Sequence, residues 1–382
     1  SIFVITVLCV YWIFVHLRKI FIPAVTLFTI FTFIGLLGIF NLGPFGKYLY
    51  KDSISVRIYY WKAAIKMVEN FPFTGVGIDN YGSYFKQYRD VGYPLKYGWD
   101  LTSTNAHNLP LQMFSTGGVL LGLTFLFMTF YVFYVGIKNI KKSVGAERYL
   151  SLGIFLAWLA YQLQLLVSVD NVAMAIWGWT LSGMIIALFS NSDQMEATRI
   201  ESVRAGREKQ LLLSSIILLP ILFMSFNQLK AESNMYKLMG GFQPENQATA
   251  EGFKTFANSA LKVPFLDPTY KLTIGSYLVD YGDSDNGLRA VDEVLQKNSR
   301  NLQAYWIKAT NFENKQNFEQ AILARKKIEE LDPWNAKNYY IMVLDYKSLG
   351  NETQAKFYGD KIKSFAQNTD IGKQLISNFP NL

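Results

Sequence analysis

Long apolar runs fill the first 226 positions of the chain, and shorter amphipathic segments follow them to the end. A membrane-spanning helix needs about 20 apolar residues, and six stretches approach or exceed that length. They lie at 2–15, 21–40, 109–137, 149–169, 172–189 and 211–226, the first and last being short. The pattern predicts an all-α protein, with a polytopic transmembrane domain at 1–226 and a soluble domain at 227–382.

Basic residues mark one side of the predicted membrane. Three clusters lie on alternate sides of the apolar runs, at 18–19, 138–148 and 199–209. Because short loops rich in Lys and Arg stay in the cytoplasm, this side is assigned to the cytoplasm. The opposite, extracytoplasmic side then holds the long loop 41–108, the turn at Asp170 and everything after 226.

Composition limits the classes of partner. The formal charge of +8 is concentrated in the membrane half, and the soluble half is close to neutral. Nucleic-acid binding is not expected, because it needs a basic face on a folded domain; anionic lipid or phosphate partners fit better. The single cysteine, Cys9, and two histidines exclude an intrachain disulfide and a Cys/His metal site. The start inside an apolar run, without Met, leads us to expect a truncated chain.

The soluble half repeats with a period of 34 residues. Ala309, Phe312, Ala321 and Ile328 recur as Val343, Tyr346, Ala355 and Ile362. The triplet Leu-Asp-Pro at 266–268 and again at 331–333 predicts a degenerate unit between the two. The pattern resembles the tetratricopeptide repeat, although Lys308 and Arg325 depart from it, and it predicts a short solenoid of helical hairpins. Asp283-Ser284-Asp285 is interpreted as a turn between two helices.

The loop 41–108 is too long for a plain connector. Its first predicted helix runs from about 53 to 70 and carries one apolar stripe. The stripe comprises Ile54, Ile58, Trp61, Ile65 and Val68. We expect this helix to lie along the membrane surface, with Arg57 at the border of the stripe.

The rest of the loop leads to the third apolar run. A glycine-containing turn covers 72–77, and Asp79 or Asn80 can cap a short helix through Arg89. Asn108 is a good N-cap for the third run, so His107 is expected at the positive end of that helix dipole. Gly118 and Gly122 are interpreted as small residues for helix packing.

At this point a family resemblance becomes specific. The run Arg57…Tyr60-Trp61…Pro72…Gly75-Val76-Gly77…His107-Asn108…Gly117-Gly118 resembles the signature region of the O-antigen ligase and polymerase family. The resemblance covers roughly residues 20–190. It implies a GT-C-like membrane transferase in the bacterial cytoplasmic membrane. Such an enzyme takes a glycan from an undecaprenyl-diphosphate carrier on the outer face and passes it to a glycan, lipid or protein acceptor.

The resemblance also implies roles for individual residues. Catalytic roles fall to Arg57 and His107, while a further arginine of an earlier loop has no match in the chain. Guanidinium binds a leaving diphosphate through two hydrogen bonds and a permanent charge, and a neutral histidine can take the acceptor proton. No metal and no cofactor is expected. The substrate-binding candidates are Trp61, Gly75, Gly77, Arg89 and Asn108.

Several alternatives stay open at the level of sequence. Arg89 can equally be a solvated helix end, Arg57 a snorkelling surface arginine and His107 an interfacial histidine. Within the family the chain can be a polysaccharide ligase, a polymerase or a protein O-oligosaccharyltransferase. Outside it, the chain can be a non-enzymatic scaffold that recruits protein partners through its repeats. Transport is disfavoured because the predicted spans contain almost no ionisable residues.

Overall fold

The computed structural model describes residues 52–190, 247–262 and 266–380, with scattered helical positions between 22 and 37 and between 216 and 233. Every regular element within these ranges is helical, which confirms the all-α fold class. The chain divides into two compact units, Ser1–Met195 and Glu196–Leu382. The predicted boundary at 226 stays a prediction. The first two apolar spans lie wholly or mostly outside the described residues, and 216 and 218–226 of the sixth are helical.

Six helices are described in the first unit. They are α1 (Asp52–Asn70), α2 (Tyr81–Tyr88), α3 (Gly92–Tyr97), α4 (Leu109–Lys142), α5 (Gly145–Leu165) and α6 (Val172–Ser190). Only α4, of the helices described, is long and apolar enough to cross a membrane, while Val172–Leu188 forms a shorter apolar helix. The helices α5 and α6 flank the predicted turn at Asp170. The multi-pass topology stays a prediction.

Helix α4 contains a sharp break that the sequence interpretation did not place. Gly118 has φ 72° and ψ −175° inside the helix, a combination that is open essentially to glycine alone. The ring of Phe114 lies so close to Gly122 that a Cβ at 122 would approach it within 2.4 Å. Residues eight apart in a straight helix cannot meet in this way, so the two arms of α4 bend towards each other at Gly118.

The second unit contains the 34-residue period as pairs of helices. Single α7 (Gln247–Ala260) precedes three pairs: α8 (Pro268–Asp280) with α9 (Ser284–Lys297), α10 (Leu302–Asn314) with α11 (Phe318–Leu331), and α12 (Ala336–Ser348) with α13 (Glu352–Ala366). Helix α14 (Asp370–Asn378) follows. First helices begin at 268, 302 and 336 and second helices at 284, 318 and 352, so equivalent starts are 34 residues apart.

An Asp or Asn side chain caps each of these six helices. The capping residues are Asp267, Asp283, Asn301, Asn317, Asn335 and Asn351, and each side chain accepts a hydrogen bond from a backbone N–H of the first turn. The two Leu-Asp-Pro triplets therefore differ in role. Asp267 caps α8, whereas Asp332 ends α11 and Asn335 caps the next helix. Helix pairs do lie between the two triplets, as the sequence predicted.

Arg325, which departs from the repeat pattern, is at the centre of a buried charge cluster. It is 1% exposed, donates hydrogen bonds to both carboxylate oxygens of Glu313 at 2.7 and 2.9 Å, and stacks on the Trp306 ring. Asp345, from the following repeat, is 2% exposed, and the charges of Glu313 and Arg325 both act on its carboxyl group. Burial and the negative charge of Glu313 raise the pKa of Asp345 to about 7, while the positive charge of Arg325 opposes this shift.

Replacing Asp345 with asparagine is expected to stabilise the repeat unit at pH 8. The native pKa lies above the unfolded value of 3.8. At a pH between these two values, the carboxyl group is therefore protonated in the native state and ionised in the unfolded state. The stability of the native state therefore falls as pH rises through that window, and this loss of stability persists at higher pH. Asparagine removes a penalty on the order of 1–3 kcal/mol, and Asn311 already occupies the equivalent repeat position.

Hydrogen exchange of the α12 amides in the full chain measures this effect. Protection in Asp345→Asn should exceed that of the unchanged protein at pH 8 and vary less between pH 5 and pH 8. Asp360→Asn is the matched control, because Asp360 is exposed. Slower exchange in the control, or unchanged exchange in Asp345→Asn, contradicts the assignment.

Candidate functional site

The loop between residues 52 and 108 folds around an aromatic core. Helix α1 buries Ala63, Ala64 and Met67 completely, against Tyr81 and Phe85 of α2. The predicted apolar stripe faces elsewhere, since Ile58 and Ile65 are 37% and 47% exposed. The small residues let α2 approach α1 closely, and this packing fixes which way Arg57 and its neighbours face.

The glycine turn at 72–77 is bonded directly into the break of α4. Val76 N–H donates to Ser115 O and Gly77 N–H to Thr116 O, both at 2.9 Å, while Val119 N–H donates to Pro72 O at 2.7 Å. The break at Gly118 disrupts the helical ladder at this point, and the turn supplies the replacement bonds. The loop and the helix thus form one backbone-bonded unit.

Gly75 and Gly77 allow the turn to pack closely against α4 and against itself. Both have positive φ, and a Cβ on Gly75 would lie 2.4 Å from the carbonyl carbon of Thr116. A Cβ on Gly77 would lie 2.7 Å from the Asn80 side chain. The structure therefore explains these glycines by packing against α4 and within the turn, and their predicted contact with substrate stays a prediction.

Arg89 is neither solvated nor at the surface. Its side chain is fully buried, and its two terminal nitrogens donate to Leu101 O at 3.0 Å and Trp99 O at 3.2 Å. Burial of the guanidinium against these carbonyls ties the end of α2 to the segment 99–101. Asn80, predicted as a possible cap of α2, makes no side-chain capping bond.

Side-chain hydrogen bonds hold the segment before α4 in a single conformation. Ser103 Oγ donates to Asn105 O at 2.7 Å, and Asn105 Oδ1 accepts from His107 N–H at 3.1 Å. Gln112 Oε1 accepts from Ala106 N–H at 2.7 Å. The φ of His107 is 49°, a left-handed conformation that is uncommon for non-glycine residues and is often found at functional sites.

Asn108 confirms the predicted helix start and also anchors it to α5. Its Oδ1 accepts from Leu111 N–H at 2.9 Å, the expected capping bond. Its Nδ2 donates to Leu166 O at 2.9 Å, just beyond the end of α5. The amide is thus engaged at both ends in structural bonds, and its predicted contact with substrate stays a prediction.

The His107 imidazole is half-buried on the ring of Tyr60. The two rings stack with centroids 5.2 Å apart and an interplanar angle of 27°. Tyr60 is held in turn, because Tyr81 Oη donates to its backbone carbonyl at 2.7 Å. Burial lowers the pKa of His107, and the positive charge of Arg57 lowers it further. Both effects favour the neutral imidazole, which is the form that can accept a proton.

Arg57 and Trp61 approach the same place from α1. They are four residues apart, so they share one face of the helix, and Tyr60 beside them carries the stacked histidine. Arg57 Nε and Trp61 Nε1 are both buried, and neither has a hydrogen-bond partner within the described part of the chain. A buried donor without an acceptor costs roughly 1–3 kcal/mol. Because Arg57 is also close enough to His107 to lower its pKa, this face of α1 has the pattern expected of a site that receives oxygen atoms.

A cavity of about 240 Å³ lies between α4, α5 and α6. Most of its lining is apolar, and Leu109, two residues after His107, contributes to it together with Phe125, Met128, Trp158 and Trp179. Its polar lining includes Asp170, whose carboxylate accepts from Tyr161 Oη at 3.1 and 3.2 Å. The cavity therefore includes the first residue of α4 and continues among the apolar helices.

Sequence reasoning named Arg57, Trp61 and His107 but missed the residues that hold them. Tyr60, Asn105 and Gln112 position the histidine by stacking and hydrogen bonding. A signal for Tyr60 existed, because it belongs to the run that carries the family resemblance and lies one turn before the buried Ala64. Nothing in the spacing of Asn105 or Gln112 could have shown which backbone groups they bind. No group of three or more potential metal ligands occurs among the described residues.

The influence of Arg57 on His107 leads to a measurable shift. Replacing Arg57 with methionine removes a positive charge but keeps an apolar side chain of similar length, so the pKa of His107 is expected to rise towards its ordinary value of 6.5. The imidazole will then be protonated at a higher pH than in the unchanged protein. Nuclear magnetic resonance of protein with isotope-labelled histidine measures the pKa of His107, since His16 is the only other histidine. An unaltered His107 titration contradicts the proximity.

Comparison with known protein families gives one result. Residues 1–127 match the family model described as O-antigen ligase. The matched region contains Arg57, Trp61 and His107, together with the break of α4, and it ends before α5. No curated protein matches the chain significantly.

Proposed function

We propose that this chain transfers or polymerises glycans from an undecaprenyl-diphosphate-linked donor on the outer face of the membrane. Residues 1–127 match the family model described as O-antigen ligase, and that family comprises inner-membrane glycan ligases and polymerases. The observation that carries the proposal is the closeness of Arg57 to His107, with Trp61 one turn further along the same face of α1. Arg57 and Trp61 provide buried N–H donors without acceptors, and His107 provides a base kept neutral by burial and by Arg57.

The reaction needs both kinds of group. An acceptor hydroxyl attacks the anomeric carbon, a new C–O bond forms, and the bond from that carbon to the diphosphate oxygen breaks. The hydroxyl proton passes to the His107 imidazole, and the diphosphate leaves with its charge balanced by the Arg57 guanidinium. Trp61 Nε1–H is suited to a further hydrogen bond with a phosphate or sugar oxygen. A positioned base contributes about 10²–10⁴ in rate, and preorganised charge stabilisation contributes comparably.

The cavity between α4, α5 and α6 supports a lipid-linked donor. A carrier whose diphosphate is near His107 has to direct its hydrocarbon chain towards the membrane interior. Leu109 joins the site to a lining that is mostly apolar and aromatic, which suits such a chain. The acceptor can be a glycan, a lipid or a protein, and we propose that the repeat unit recruits it or a protein partner.

Transfer by the purified full chain tests the proposal directly. The protein in vesicles receives an undecaprenyl-diphosphate glycan and a chelator, and the product is detected as an acceptor-linked or lengthened glycan with release of undecaprenyl diphosphate. We expect transfer in the presence of the chelator. Absence of both donor binding and transfer would favour the non-enzymatic scaffold, while full dependence on a divalent cation would exclude the role given to Arg57.

We further propose that the loop 41–108 and the region 227–382 share the extracytoplasmic side. A cysteine at Asn351, with Cys9 replaced by serine, should react with a membrane-impermeant thiol reagent in intact cells, because Asn351 is exposed at a helix start. A cysteine at Lys141, which is also exposed, should react only after lysis. The opposite labelling pattern would reverse the orientation.

A further inference from the structure

Two large apolar side chains of the glycine turn face outwards. Phe73 is 84% exposed and Ile78 is 79% exposed, and they flank the two glycines of the turn. A turn is ordinarily the place for polar residues when it faces water. Two neighbouring side chains of this size, both almost fully exposed, indicate a surface that meets something apolar.

The turn holds these side chains at a fixed position relative to α4. Three backbone hydrogen bonds join the turn to Ser115, Thr116 and Val119. Phe73 O lies within 2.1 Å of the place that a Cβ on Gly118 would occupy. The level of Phe73 along the membrane normal is therefore that of the break in α4.

The length of the second arm of α4 fixes that level. The helix continues without interruption from Val119 to Lys142 and ends in a basic group that includes Lys138, Lys141 and Lys142. Gly118 and Lys138 are 20 positions apart, which is about 30 Å along a helix. This equals the thickness of the hydrocarbon layer, about 30 Å. If the lysines mark one boundary of this layer, as basic residues at helix ends do, the break marks the other.

We propose that Phe73 and Ile78 enter the lipid bilayer at the boundary opposite Lys138, so that the glycine turn anchors the loop 52–108 on the membrane. The partner is the acyl-chain region of the lipid. The exposed Ile58 and Ile65 of α1, the helix that precedes the turn, extend the same apolar character along the loop. The anchor keeps Arg57 and His107 at the membrane surface, and it does not depend on which reaction occurs there.

Spin labels at three phenylalanine positions test this anchoring in the full chain. Phe73→Cys reports on the turn, Phe127→Cys on the span, where Phe127 is 70% exposed, and Phe357→Cys on the repeat unit, where Phe357 is 55% exposed. Each variant carries Cys9→Ser and is reconstituted in vesicles of phosphatidylethanolamine and phosphatidylglycerol. Accessibility to dissolved oxygen and to a water-soluble nickel complex is then measured.

We expect the label at 73 to collide with oxygen as the label at 127 does, and with the nickel complex several-fold less often than the label at 357. Ile78→Cys should give the same result, and it provides a second reading from the other end of the turn. Free access of the nickel complex to both 73 and 78, equal to that at 357, overturns the proposal. The measurement uses no substrate, so a failure of the proposed transfer reaction leaves it unaffected.

Discussion

Replacing His107 with alanine is expected to lower the rate of glycan transfer by about 10²–10⁴, the usual contribution of a positioned general base. The imidazole stacks on Tyr60, its pKa is lowered by burial and by Arg57, and its backbone is held by Asn105. The variant lacks the proposed acceptor of the hydroxyl proton but keeps the donors proposed to bind the diphosphate. Transfer should therefore fall while binding of the lipid-diphosphate donor stays close to that of the unchanged protein.

Two further variants separate this role from a structural one. His16→Ala removes the other histidine, which is predicted to lie on the cytoplasmic flank, and should leave transfer unchanged. Arg57→Ala should weaken donor binding as well as transfer, because the proposed partner of Arg57 is the leaving diphosphate. Arg57→Lys should be impaired too, since lysine lacks the bidentate fork. Near-normal transfer by a folded His107→Ala protein would exclude the assignment of the base.

Replacing Gly118 with alanine is expected to destabilise the membrane unit by about 3 kcal/mol or more. The backbone at 118 has φ 72° and ψ −175°, which costs a residue with a side chain about 1–3 kcal/mol. The added Cβ would also lie 2.1 Å from Phe73 O, so the turn has to move and its hydrogen bonds to Ser115 and Thr116 are lost. Thermal unfolding of the full chain in detergent measures the change.

Gly153→Ala is the matched control for this prediction. Gly153 lies within helix α5, and a Cβ there meets no atom within 4 Å. Alanine at an ordinary helical position is more favourable than glycine by about 1 kcal/mol, so this variant should be as stable as the unchanged protein or slightly more so. A Gly118→Ala protein with unaltered unfolding would show that the break is not required.

The sequence predicted the elements better than the contacts between them. The helix starting at Asn108 and the 34-residue period both appear in the structure, because a capping residue and a repeated core position are local signals. The Asp and Asn caps at every repeat helix carried that signal more exactly than the Leu-Asp-Pro triplets did. The two triplets are not equivalent positions, because the aspartate at 267 starts a helix and the aspartate at 332 ends one.

Features that depend on long-range packing were out of reach of the sequence. The sequence interpreted Gly118 and Gly122 as small residues for helix packing, but the break of α4 at Gly118 requires the hydrogen bonds from residues 76 and 77. Arg89 was interpreted as a phosphate contact or a solvated end, and it is a buried link to residues 99 and 101. Neither fact can be derived from periodicity, because each depends on which backbone groups lack a partner within their own segment.

The bonds between the glycine turn and α4 also constrain the order of events during biosynthesis. The N–H groups of Val76 and Gly77 find their acceptors at Ser115 and Thr116, 39 positions later in the chain. The ribosome therefore releases the turn well before its partners exist, and a contact of this sequence separation forms only after they appear. Arg57 and His107 are not held together until α4 has been made, so the nascent loop has no assembled candidate site before that point.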